Sequence, residues 1–272
     1  MSGSKWITFL TDYGLANKFV GVCHGVMAGI APEARVLDVT HFVPRGNIAH
    51  GAEVFQQAIA FLPTGVHLTV VDPGVGGSRK AVALVVGENV FVGPDNGLLL
   101  PAADVLGGVD AAYELSDPRF HLDNVSHSFH GRDIFSPVAA HLASGVAPAE
   151  LGPPVDVSEL VRLPEQVRRL ADDTLYGQVV IEDRFGNLQT TLDIGLLKEA
   201  GVALGTEFVL TAGDTTAVVP YVETFCSVGE GESLAHIDSA DRLALAVNLG
   251  SAAELFSMHE GDTFTLTYGS AG

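Results

Sequence analysis

The stretch Val66-His67-Leu68-Thr69-Val70-Val71-Asp72-Pro73-Gly74-Val75-Gly76-Gly77-Ser78-Arg79 constrains this chain more than any other. A run of strand formers stops at a carboxylate. A loop too rich in glycine to be helical then leads to an arginine seven residues on. In an open α/β sheet, ligands gather at the carboxyl ends of the strands, so Asp72 stands where chemistry is expected. The bland alternative is a tight turn in which Asp72 only caps.

The sequence around it alternates strand and helix. Residues 6–12 read as a short apolar strand ending in Asp12 and broken by Tyr13-Gly14. Phe19 to Ile30 has helical apolar spacing, 36–39 reads as a strand, and Ile48 to Phe61 as a helix halted by Pro63. Residues 81–86 and 90–92 read as further strands, the second running into Gly93-Pro94-Asp95-Asn96-Gly97. Residues 134–144 read as a helix, with Pro137 near its start, where proline is tolerated. This alternation predicts an α/β fold, with a mostly parallel sheet covered by helices on both faces, over residues 1–155. A linker is expected over 156–173, which holds Pro164 and a charged Glu165–Arg169 patch. From 174 to 272 short strands punctuated by glycine predict a smaller β-barrel or sandwich domain.

Bulk properties exclude several classes of function. A net charge of -19, with 14 Lys and Arg against 33 Asp and Glu, leaves no basic stripe for a nucleic-acid partner. No apolar run approaches the ~20 residues needed to span a bilayer. Met1-Ser2-Gly3-Ser4-Lys5 leads straight into a strand pattern instead of a signal segment, so a cytoplasmic location is expected. Cys23 and Cys226 match no metal or redox spacing and read as buried free thiols.

Three strands end in an aspartate followed by a turn, at Asp12, Asp72 and Asp95, which suggests a polar site along one sheet edge. A fourth cluster, His127-Ser128-Phe129-His130-Gly131-Arg132-Asp133, precedes the helix at 134. Taken alone, Asp133 could be a cap and His130 a loop histidine. The glycine spacing after Asp72 fits neither a dinucleotide fingerprint nor a P-loop. No Gly-x-Ser-x-Gly elbow is present. His127 and His130 lack the helical His-Glu-x-x-His setting, so no metal is expected.

Six motifs occur in order: Phe9-Leu10-Thr11-Asp12-Tyr13-Gly14, Val71-Asp72-Pro73-Gly74-Val75-Gly76, Gly93-Pro94-Asp95-Asn96-Gly97, Phe129-His130-Gly131-Arg132-Asp133, Asp183-Arg184-Phe185-Gly186-Asn187, and Asp241-Arg242-Leu243 with Ala246-Val247-Asn248. Together they resemble the S-adenosyl-L-methionine hydroxide adenosyltransferase family, hydrolases related to the fluorinase and chlorinase. The resemblance runs from about residue 7 to 268. It implies an N-terminal α/β/α sandwich, a C-terminal β-barrel, and a homotrimer whose site lies between the N-domain of one subunit and the C-domain of its neighbour.

The implied reaction is hydrolysis of S-adenosyl-L-methionine to adenosine and L-methionine. That molecule is the substrate, and no cofactor is implied. The hydrolase triad maps onto Asp72, Arg79 and His130. The halogenases carry tyrosine in place of Asp72, and the fluorinase has threonine in place of Val75. The resemblance assigns Asp183 to the methionine ammonium and Ser239 to its carboxylate. Asp12, at a strand end, suits the ribose hydroxyls. Asn187 and Asn248 can meet an adenine edge. Phe225 would stack on the ring or, alternatively, fill the barrel core, and Phe129 joins the substrate-binding residues through its motif. Four positions depart from the pattern: Asn17, Gly46, Gln189 and Ala240, all bearing on how methionine is held. The rival readings are a halogenase-like enzyme using chloride and a non-catalytic adenosine-binding module.

Overall fold

A computed structural model of the chain describes residues 6–269. The first five residues, read above for a signal segment, and the last three lie outside the described residues. The chain divides into two compact units, Met1–Leu163 and Pro164–Gly272.

The first unit is built from β1 (Trp6–Thr11), α1 (Phe19–Ile30), β2 (Arg35–Thr40), α2 (Ile48–Ala58), β3 (Val66–Val70), β4 (Ala81–Val86), β5 (Asn89–Pro94), α3 (Leu100–Val105), β6 (Ala111–Glu114), α4 (Ser136–Ala143) and β7 (Pro154–Val155). Its seven strands form one sheet in the order β2-β1-β3-β5-β4-β6-β7. Period-two alternation divides the strand side chains between two cores. Ile7, Phe9, Leu68 and Val70 pack with Val20, Cys23 and Met27 of α1 and Val138 of α4. Leu10, Val71, Val82 and Leu84 pack with Ala52 and Phe55 of α2 and Ala102 of α3. The helix expected over 48–61 gives way after Ala58 to a 3₁₀ turn at Ile59–Phe61. At its start, the Asn47 side chain accepts the His50 N–H at 3.0 Å.

The sheet is mixed, which corrects the mostly parallel expectation. Strands β2, β1, β3 and β5 pair in parallel. The β4–β5, β4–β6 and β6–β7 pairs are antiparallel. The reason is local. Only Gly87 and Glu88 separate β4 from β5, with Gly87 at φ +58°. Two residues make a hairpin and cannot make a crossover.

The second unit contains β8 (Arg169–Ala171), β9 (Thr174–Glu182), β10 (Leu188–Asp193), α5 (Ile194–Glu199), β11 (Glu207–Ala212), β12 (Thr215–Pro220), β13 (Ser233–Ile237), β14 (Arg242–Val247), α6 (Ala252–Phe256) and β15 (Thr263–Thr267). Its strands follow the order β12-β11-β15-β9-β10-β14-β13, with β8 on β9. Every strand pair is antiparallel. The sheet curls until its edge strands approach at one bridge between Tyr221 and Ala235, where the Val222 N–H donates to the Ala235 carbonyl at 2.9 Å. Leu175, Val179, Leu192, Phe208, Leu245 and Phe264 fill its interior.

The two cysteines differ. Cys23 is buried on α1, and burial pushes its thiol up to about 11. Cys226 is exposed, contrary to expectation, because it sits in the short turn Phe225–Ser227, outside the core residues of the curled sheet. No described helix is long and apolar enough to cross a membrane.

Candidate active site

Strands β1, β3 and β5 lie side by side and parallel, so their carboxyl ends share one edge. Asp12, Asp72 and Asp95 all follow those ends, but their side chains turn to different partners. Asp72 accepts the Arg79 Nε–H at 3.0 Å through Oδ1 and Nη2–H at 2.5 Å through Oδ2. This is a two-point ion pair of the kind that fixes the guanidinium plane. Both partners are nearly enclosed, with side-chain exposures of 6% for Asp72 and 12% for Arg79. The guanidinium carbon lies 5.2 Å from the centre of the Phe135 ring.

Arg79 Nη2 also lies 2.8 Å from His130 Nδ1. A guanidinium only donates, so Nδ1 is the acceptor and the neutral ring carries its proton on Nε2. Burial, followed by the adjacent Arg79 charge, holds His130 below the usual histidine range. A metal at His130 Nδ1 would have to displace a cation.

Two glycines bring these groups together. Gly76, at φ +76°, packs so closely on the His127 carbonyl that a Cβ there would lie 2.3 Å from the oxygen. The loop carrying Arg79 therefore seats directly on the loop carrying His130. Gly131 meets Tyr13 in the same way, since a Cβ would stand 2.0 Å from the Tyr13 hydroxyl. Burial drives the Tyr13 hydroxyl well above its ordinary pKa, so it stays protonated. Tyr13, Phe19 and Phe129 form an edge-to-face cluster, with Phe129 5.6 Å from Tyr13 and 5.1 Å from Phe19. Neither Tyr13 nor Gly76 was picked out by residue chemistry, although both sit inside quoted motifs.

Beyond His130, a π-helical turn over Gly131–Phe135 runs directly into α4. Asp133 is fully buried and accepts the Ser126 N–H at 2.8 Å and hydroxyl at 2.7 Å. Arg132 donates to the same carboxylate at 2.5 Å. Burial alone would raise its pKa, but the Arg132 and Ser126 hydrogen bonds bring it below the ordinary value. Asp133 is thus an organiser of the loop.

The other strand-end carboxylates serve as anchors. Asp12 Oδ2 accepts the Gly46 N–H at 2.8 Å. Gly46 adopts φ +69°, with Pro73 against it, so a residue with a side chain would be strained here. Asp95 accepts the Val161 N–H at 2.9 Å, and its carboxyl is pushed up by burial against that bond. Asp95 therefore ties down the end of the first unit.

In the second unit the motif residues bond mainly to their own loops. Asp183 Oδ1 accepts the N–H groups of Phe185 at 2.8 Å and Asn187 at 3.0 Å, while Oδ2 accepts the Asn187 side-chain amide at 2.9 Å. Asn248 donates its amide to the Val228 carbonyl at 3.0 Å. The β9–β10 loop and the end of β14 lie at one end of the sheet. Ser239 is exposed on the turn at the other end of the β13–β14 hairpin. In that turn Asp238 accepts the Ala240 N–H at 2.8 Å and the Gln189 side chain. Phe225 is half-buried against His236, with ring centres 4.9 Å apart, and is not among the core residues. Asn17 is exposed.

Comparison with known proteins identifies the family. The chain matches the SAM hydroxide adenosyltransferase N-terminal domain over residues 7–152 and the C-terminal domain of the same name over 177–265. It is 48% identical to an (R)-S-adenosyl-L-methionine hydrolase of Salinispora tropica, over 99% of this chain and all of that protein. A hydrolase of the same name from Thermus thermophilus is 40% identical, over 94% and 96% of the two chains. A fluorinase of an Actinoplanes species is more distant, at 28% over 98% of each. A crystal structure of an uncharacterized conserved protein from Thermotoga maritima superposes with a TM-score of 0.89 at 36% identity, covering 96% of this chain and 99% of that one. On these grounds the chain belongs to the SAM hydroxide adenosyltransferase family.

Proposed function

We propose that this protein hydrolyses S-adenosyl-L-methionine to adenosine and L-methionine by attack of water at the ribose C5′. The observation that carries the reading is the Asp72–Arg79–His130 arrangement. Asp72 and His130 occupy Nε and Nη2 of Arg79 and fix its plane. The Nη1 hydrogens have no partner among the described residues and are available to an oxygen nucleophile.

The energetics narrow the mechanism. Water has a pKa of about 15.7, so free hydroxide at pH 7 costs about 12 kcal/mol. A single arginine does not supply that. The proton therefore leaves as the C5′–O bond forms and the C5′–S bond breaks, or hydroxide is captured from solution and held by Arg79. The sulfonium leaves as a neutral thioether, so the developing negative oxygen and the positive sulfur cancel. One proton is released per turnover.

His130 accepts through Nδ1 and orients Arg79, and Asp72 holds the guanidinium and hydrogen-bonds the water. A halide would meet the Asp72 carboxylate, which disfavours the chlorinating alternative. Asp12 serves the ribose hydroxyls. Asp183 and Ser239 serve methionine. Asn187, Asn248, Phe225 and Phe129 complete the substrate-binding residues. In this reading the first unit is the family's α/β/α sandwich, the second its β-barrel, and the cytoplasmic enzyme is a homotrimer, which light scattering would report as about three times the 28.4 kDa chain.

Incubation with S-adenosyl-L-methionine in ¹⁸O-water, followed by mass spectrometry, tests the reading. Adenosine labelled at its 5′ oxygen is expected. 5′-Chloro-5′-deoxyadenosine in high chloride, or bound adenosine without turnover, would replace hydrolysis by one of the rivals.

A further inference from the structure

A second cluster in the first unit stands apart from the triad. His24 of α1, Asp38 of β2 and His41, just beyond β2, bring three ligand atoms within 4.8 Å of one another. His24 Nε2 lies 2.9 Å and His41 Nε2 3.1 Å from the same oxygen, Asp38 Oδ1. His41 is 3% exposed, and its buried Nε2 makes no hydrogen bond of acceptable geometry, although it faces the carboxylate. Its other nitrogen, Nδ1, is 2.9 Å from the Thr11 hydroxyl, which also accepts the Tyr13 N–H at 3.1 Å. Phe9 packs on both rings, with its centre 4.8 Å from that of His41 and 5.9 Å from that of His24.

We propose that His24, Asp38 and His41 form a site for a divalent transition-metal ion of the zinc class, bound by two imidazole Nε2 atoms and one carboxylate oxygen. Ligand atoms about 2.0–2.1 Å from a tetrahedral zinc lie about 3.3 Å from each other, close to the His–Asp separations seen here. Two imidazoles and a carboxylate select borderline cations over calcium or magnesium, which take oxygen ligands. The partly exposed His24 and Asp38 leave a fourth position for water. With Nδ1–H donating to the Thr11 hydroxyl oxygen, the Nε2 lone pair is left for a metal.

The site also reaches the catalytic edge through the backbone. The His41 carbonyl accepts the Gly14 N–H at 2.7 Å, so a bound ion would stiffen the Thr11–Gly14 turn that holds Asp12.

Titration of the chelator-treated protein with zinc chloride, followed by calorimetry and by the visible spectrum of a cobalt(II) substitute, tests the proposal. One ion per chain is expected, with a four-coordinate cobalt spectrum and a zinc-dependent rise in Tm. His24→Ala and Asp38→Asn, both partly exposed positions, should each weaken binding at least 100-fold and abolish the Tm rise. Thr11→Val should weaken it about 10- to 100-fold. Absence of stoichiometric binding to the parent protein overturns the proposal, as does binding of equal strength in both variants. Circular dichroism verifies that the variants are folded.

Discussion

The two units use similar residues in opposite ways. In the first, Arg79 bonds both to Asp72, 7 positions away, and to His130, 51 positions away. In the second, Asp183 and Asn187 are four apart and bond to each other and to the backbone of their own turn. The first arrangement stores charge at one point and leaves donors for a reacting atom. The second uses its polar groups to hold a loop in shape. In the proposed reading, a carboxylate in a motif meets the attacking water in one place and shapes a binding loop in the other.

The largest test of this contrast is Arg79→Ala. Loss of a preorganised donor at the reacting oxygen should lower kcat about 10²- to 10³-fold, with a smaller change in KM, as read by adenosine release at saturating substrate. Near-normal turnover would remove Arg79 from the mechanism.

Next is Gly131→Ser, which forces a Cβ into the Tyr13 ring and should cost about 1–3 kcal/mol in denaturant unfolding. Adding Tyr13→Phe should restore part of that loss, because the closest atom is the hydroxyl. No recovery would mean that the strain lies in the π-helical turn itself.

Asp183→Ala tests the loop-shaping carboxylate. It should lower stability by about 1–2 kcal/mol and raise KM while kcat changes little, because it loosens the β9–β10 loop and removes the proposed methionine contact without touching the triad. A large fall in kcat alone would make Asp183 a reagent after all.

The smallest effect concerns pH. The lowered His130 value means that protonation, and loss of its acceptor role toward Arg79, occurs below the ordinary 6.5, so kcat/KM should rise through a pKa under that value and then level off. In His130→Gln, whose amide oxygen can still accept from Arg79, this acidic limb should vanish with less than about a tenfold loss at pH 8. A loss of 10²-fold or more across all pH would instead mark His130 as a general base.

The parallel half of the first sheet was legible because its strands are apolar runs ended by turn residues, as at Val66–Val70 before Asp72. The strands over 81–86 and 90–92 were legible too, but not their antiparallel pairing, although Gly87-Glu88 carries a hairpin signal between two valine-rich runs. The triad could be assembled from sequence only through family resemblance, since no local spacing places His130 beside Arg79. Which carboxylates would be spent internally was not legible at all. Asp95 and Asp133 sit in motifs as conspicuous as that of Asp72, and only their neighbours in space distinguish them. His24, Asp38 and His41 escaped notice for the same reason, being brought together by a helix packing on an edge strand.

Gly76 has a consequence for how variants of this protein would be read. It has no side chain and touches no reactant, yet any residue larger than glycine there would wedge the Arg79 loop away from the His127 carbonyl and part Arg79 from His130. In a mutational scan position 76 would score with the reacting residues, and an inactive variant there would be misread as evidence of a chemical role. Its measurable mark would be a folded protein in which the guanidinium has lost its neighbour: the seam between two loops, not a functional group, sets the activity.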